Sequence, residues 1–192
     1  MVDNQALRSF SLVSAVVMVL SFVGMAAYFF LDESARELDV MMLILNSFWI
    51  ISLISIYLPQ AGSLGTFGRF SFIVTAIGLM WFVGYGFAHQ FAGPVLEGFQ
   101  PGIMEFDNLP QPLLDGAYVA TAIAGGGFFL YGLSMLFGKV SLWQGILFMV
   151  SGAALAVGYA MHIIPLAIVF GFFIPIAVFS MNVKTLKSAK EG

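Results

Sequence analysis

Of 192 residues, 60% are hydrophobic and only 9% are charged, against roughly 25% charged in ordinary soluble domains. So few charges cannot cover a water-facing surface, which excludes a soluble globule and makes lipid the expected solvent for most of the chain. The formal net charge of −3, with seven basic residues, excludes a nucleic-acid-binding surface, and the absence of cysteine excludes disulfides, thiolate metal sites and thiol catalysis together.

An α-helix rises about 1.5 Å per residue, so about 20 apolar residues cross a hydrocarbon core of about 30 Å. The first charge-free interval, between Arg8 and Asp32, predicts a span over 9–31. It begins like a secretory leader but outlasts the roughly 7–15 apolar residues of a leader's core, so it is read as a span. A second span, 40–58, stops at Pro59 and the glycine-rich run QAGSLGTFG. The third, 70–91, follows Arg69 and ends before Gly93-Pro94, and the fourth, 115–137, follows an outer loop over 92–114. Between Lys139 and Lys184 stand 44 uncharged residues, about 66 Å if they formed one helix. That stretch must fold back near 159–165, where Pro165 suits the first turn of a new helix. Spans five and six are therefore 141–160 and 163–181.

Basic residues in short loops set the orientation of such a chain. With the N-terminus inside, Arg8, Arg69, Lys139, Lys184, Lys187 and Lys190 are cytoplasmic and only Arg36 is outside. The expected fold is thus all-α: a single integral membrane domain over 1–192, a polytopic bundle of six transmembrane helices in the cell membrane, with both termini cytoplasmic.

Small residues mark expected contacts between helices. Gly116, Ala120 and Ala124 recur every four residues, as do Gly152, Ala156 and Ala160, a spacing that lets backbones approach. The triplet Gly125-Gly126-Gly127 suits either close packing or a bend, and Pro175 should kink the last helix by leaving the Gly171 carbonyl without its N–H partner; these four residues are the candidate hinges. Asn46, Ser52 and Ser55 are expected to hydrogen-bond between helices.

No Asp, Glu, Lys or Arg lies deep in any expected span, which argues against a proton- or cation-coupled carrier. Two histidines, His89 and His162, arrive at similar depth near the outer boundary. Imidazoles on facing helices can ligate one metal or both axial positions of a haem, while histidine also sits well at a membrane interface with its polar tip wet. The outer loop and its flank offer a ligand or partner surface made of Glu97, Phe99, Met104, Glu105, Phe106, Asp107 and Asp115. Signatures of common enzyme classes are missing: no GxSxG, no phosphate-binding loop, no HExxH. The expected function is therefore non-catalytic, an accessory subunit or a binder of lipid or a hydrophobic partner. It needs no cofactor, and its partners are membrane lipid and another membrane subunit or a second copy, with no nucleic acid. A small transporter or channel for an uncharged solute or lipid is the alternative, and a haem or single-metal protein using His89 and His162 is the second.

Overall fold

The computed structural model describes residues 4–31, 36–104, 108–161 and 163–188. The chain is all-helical, with no strand among those residues. Its helices are α1 (Asn4–Leu31), α2 (Arg36–Tyr57), α3 (Ala61–Phe99), α4 (Gln111–Phe137), α5 (Leu142–Ala160), α6 (Ile164–Gly171) and α7 (Phe173–Ser188), with a short 3-10 turn at Leu58–Gln60. Three helical stretches are long and apolar enough to cross a membrane: Ile44–Phe99, Gln111–Phe137 and Leu142–Ala160. Two shorter apolar helices, Leu12–Gly24 and Pro165–Met181, accompany them.

Each boundary has a chemical cause. Pro59 sits in the 3-10 turn that ends α2. Just inside α3, Gly65 adopts φ 62° and ψ −157°, a conformation open essentially to glycine alone. The glycine-rich run expected as a loop is therefore helical on either side of a single-residue break. Farther along, α3 passes through Pro94 and reaches Phe99. The expected outer loop over 92–114 is accordingly shorter, because α4 already begins at Gln111. Pro94 deprives only the Gln90 carbonyl of a donor, and one lost bond does not end a helix whose next turns are anchored.

Pro165 lies in the first turn of α6, where its missing N–H costs nothing. Pro175 has the effect expected of it, since the last rod is broken in two: α6 stops at Gly171 and α7 resumes at Phe173. Beside the break, the hydroxyl of Ser151 of α5 is shared between the Leu147 carbonyl of its own helix, at 2.8 Å, and the Phe170 carbonyl, at 2.9 Å.

The helices form a closed ring in chain order, α7 completing it against α1. Contacts are most extensive where α4 meets α3 on one side and α5 on the other. Glycine makes both contacts. A Cβ added at Gly78 of α3 would lie 2.3 Å from the Ala124 nitrogen, and one at Gly127 would lie 2.5 Å from Thr75 Cα. On the α5 side, a Cβ at Gly132 would lie 2.4 Å from the Gly145 oxygen, and one at Gly152 would lie 2.4 Å from the Gly125 oxygen. The small-residue ridges thus serve two neighbours. Ala120 and Ala124 are buried toward α3 and Gly152 is buried against α4, whereas Ala160 is exposed. The glycine triplet does not bend α4, which runs unbroken through it; Gly125 faces α5, Gly127 faces α3, and Gly126 meets nothing.

The other side of the ring is held differently. Ser21 of α1 donates to the Asn46 Oδ1 of α2, and Trp49 Nε1 donates to Ser21 Oγ at 3.1 Å. Ser52 Oγ donates to the Ser14 carbonyl at 2.9 Å. Asn46 and Ser52 therefore bridge helices as expected, whereas Ser55 bonds within α2, to the Ser52 carbonyl. Phe22 stacks on Trp49 with ring centroids 4.4 Å apart and touches Phe172, at the break, at 5.6 Å.

The triplet gives a direct check of this packing. Gly125→Ala and Gly127→Ala each press a methyl group onto a neighbouring backbone and should destabilise by about 1–3 kcal/mol. Gly126→Ala, made in open space, should be neutral or stabilise by up to about 1 kcal/mol through helix propensity. Thermal unfolding of the three variants in detergent measures the difference, and equal effects would mean that α4 does not use the triplet for contact.

Candidate functional site

A groove of about 370 Å³ runs between α3 and α4. Met80, Trp81, Gly84, Tyr85 and Ala88 form one wall, and Pro112, Leu113 and Gly116 form the other. The groove exists because two side chains are missing. A Cβ at Gly84 would meet nothing within 4 Å, and one at Gly116 would meet only Tyr85 Cδ2, at 3.7 Å. Here, unlike deeper in α4, glycine leaves space unfilled. The groove opens beside a stripe of exposed apolar side chains on α3 that includes Ile73, Ile77, Met80, Trp81 and Phe87. No charged residue lines it. Polar groups stand at one end: His89, one turn beyond Tyr85, and Gln111, which donates Nε2 to Asp115 Oδ1 at 2.8 Å.

The same end of the bundle carries the α3–α4 connection, and Glu97 organises it. One carboxylate oxygen of Glu97 accepts from the Gly102 N–H and the other from the Met104 N–H, the latter at 3.2 Å. Asn108 Nδ2 donates to the Gly102 carbonyl at 3.0 Å, and Gly102 takes φ 81° to complete the turn. Met104 folds back on α3, so close that a Cβ on Gly93 would lie 2.9 Å from its Cε. Glu97 and Met104, expected on a ligand or partner surface, are thus occupied in shaping the connection. Phe99, at the end of α3, is the most exposed large apolar residue among the described residues, at 85%. Asp115 is exposed on α4.

His89 lies beside Tyr85, ring centroids 5.9 Å apart. Its expected partner His162 falls outside the described residues, as do Glu105, Phe106 and Asp107. Among the described residues no three His, Cys, Asp or Glu gather as a metal site would require.

Where the rods converge, a second cavity of about 20 Å³ is enclosed. Every helix contributes to it, including Phe22, Trp49, Phe82, Tyr159 and the broken turn at Gly171. Its walls are apolar and its size is that of about one water molecule, so the ring has no open bore at this level.

Sequence reasoning did not single out Trp81, Tyr85 and Leu113, and it read Gly116 as part of a packing ridge. The available signal was a pair of glycines, Gly84 and Gly116, in otherwise bulky stretches, but only the pairing of α3 with α4 shows that both fall on one groove.

The turn around Glu97 yields a prediction. Glu97→Ala should speed hydrogen exchange at the Gly102 and Met104 amides about tenfold or more, as expected for loss of a charged acceptor. Glu97→Gln, which keeps one acceptor oxygen, should fall between; unchanged exchange in both would remove Glu97 from this role. Comparison of the chain with protein-family models, with curated proteins and with solved structures gives no match, so the reading of the groove rests on its own geometry.

Proposed function

We propose that this chain is a non-catalytic, six-span membrane protein that holds a lipid in the groove between α3 and α4. The spans are α1, α2, α3, α4, α5 and the broken α6–α7 rod, with both termini cytoplasmic, as the basic residues favour. The observation that carries the reading is the groove itself. Its volume falls within the ~300–1,000 Å³ range of small-molecule sites, and its walls are apolar. It is also continuous with the exposed apolar stripe of α3, whose only favourable solvent is hydrocarbon.

Its depth fits the same occupant. With Arg69 at the inner boundary, the helical rise sets Met80 to Ala88 about 16–29 Å farther out, in the outer half of the hydrocarbon core. A lipid acyl chain is what bathes that level. The polar rim at His89, Gln111 and Asp115 stands where its headgroup would be. No group in the groove can exchange a proton or act as a nucleophile at neutral pH, so binding is the function its chemistry supports.

Gly84→Leu tests the reading, because a Cβ there meets nothing within 4 Å and the longer side chain extends into the groove. Mass spectrometry of the protein released from mild detergent should show bound lipid on the parent chain and several-fold less on the variant, with unfolding temperatures alike. Undiminished lipid on a folded Gly84→Leu variant would reject the groove, and a larger protein complex in place of lipid would mark it as a subunit interface. Topology is checked separately. Gln100→Cys should react with an impermeant thiol reagent on intact cells, and Ser188→Cys should react only after lysis; the reverse pattern would invert the orientation.

A further inference from the structure

The opposite end of the bundle, where α4 turns into α5 at Lys139, contains buried polar atoms that the groove does not use. Tyr131 of α4 is wholly buried, at 0% exposure, and its hydroxyl has no hydrogen-bond partner among the described residues. Gln144 of α5 is 1% exposed, and its Oε1 has none either. The orientation of the Gln144 amide is fixed by its neighbour. Ser180 of α7 gives its own proton to the Ala177 carbonyl at 2.9 Å, so its oxygen must accept from Gln144 Nε2, at 3.0 Å. The amide oxygen is thereby left pointing elsewhere.

The two orphaned groups belong to one locality. Tyr131 meets Phe148 edge-on, with ring centroids 5.5 Å apart, and Phe148 lies one helical turn from Gln144 on the same face of α5. The backbones cross beside them, since a Cβ at Gly132 would lie 2.4 Å from the Gly145 oxygen.

An unpaired buried hydroxyl or amide oxygen costs about 1–3 kcal/mol, and Phe and Met would fill these positions with no such cost. We propose that Tyr131 and Gln144 form an internal binding site for one small uncharged molecule that both accepts and donates hydrogen bonds: water, or an alcohol or primary amide of similar size. The molecule accepts from the Tyr131 hydroxyl and donates to Gln144 Oε1. A neutral molecule suits the site, because among the described residues no carboxylate or basic side chain lies in the core to compensate an ion. This site is independent of the groove, and either can fail without the other.

A double-mutant cycle in detergent-purified protein tests it, using Tyr131→Phe and Gln144→Met, with Ser180→Ala as the control that removes the Gln144 Nε2 bond and the Ser180–Ala177 bond but leaves Gln144 Oε1 in place. Each of the first two variants should lower the unfolding temperature by about 2–4 °C, the shift for a lost hydrogen bond in a chain of this size. The pair together should lower it less than the sum, because the bridging molecule is lost only once. A rise or no change with Tyr131→Phe, or strictly additive effects, would overturn the site. Should Tyr131→Phe not fold, Gln144→Met still decides: a fall larger than that of Ser180→Ala supports the site, and one no larger overturns it. Acetamide, which donates and accepts, and N,N-dimethylacetamide, which only accepts, are then compared on the parent chain. Where the cycle shows coupling, the same pair of amides separates the sources: a difference between them marks a solute site, and none marks resident water.

Discussion

Helix α4 lies against α3 and α5 at distances that leave no room for a Cβ at Gly78, Gly125, Gly127, Gly132 or Gly152. Backbones this close make extensive van der Waals contact, which supplies much of the attraction between these helices. That contact sets the tilt of α3 on α4. Where the two diverge, at Gly84 and Gly116, the same residue type that seals the centre leaves the groove open. It also sets the crossing of α4 over α5 at Gly132 and Gly145.

Helices α1 and α2 join the ring by other means. Hydrogen bonds among Ser21, Asn46 and Trp49, and from Ser52 to Ser14, clasp the pair, and the Phe22–Trp49 stack carries the contact on to Phe172. Bonds of this kind in hydrocarbon contribute modestly, about 0.6–2 kcal/mol each. The broken α6–α7 rod closes the ring against this side, with Ser151 of α5 in reach of its Phe170 carbonyl. The tightly sealed side and the clasped side meet at the aromatic plug of Phe22, Trp49 and Phe82, and it leaves only a water-sized space at the centre.

The described core is built from neutral groups. The described core holds serines, threonines and a glutamine, and no ionisable acid or base other than tyrosine phenols. The polar groups with partners fix helix positions, and Gln60 Oε1, the Tyr131 hydroxyl and Gln144 Oε1 are buried without one among the described residues. Both proposed sites suit uncharged ligands for this reason: one accepts a hydrocarbon chain from the side, and the other a hydrogen-bonding molecule within the bundle.

Much of the fold was legible in the sequence. Charge-free intervals found the helices, because burying a charge in hydrocarbon is too costly to allow one inside. Pro165 and Pro175 marked a helix start and a helix break, because proline removes a fixed N–H wherever it stands. Asn46 and Ser52 were read correctly as bridges to another helix. The helix ends were less legible: α3 absorbs both the glycine-rich run and Pro94, since Gly65 alone supplies the break and the bonds of Glu97 anchor the turn beyond Phe99. The sites were not legible. Gly84, Gly116, Gly126 and Gly132 are the same residue in the sequence, and whether each one opens a groove, faces nothing or touches a backbone depends on how the helices are rotated against one another. That rotation is fixed by contacts between residues distant in the chain, and only the tertiary structure decided it.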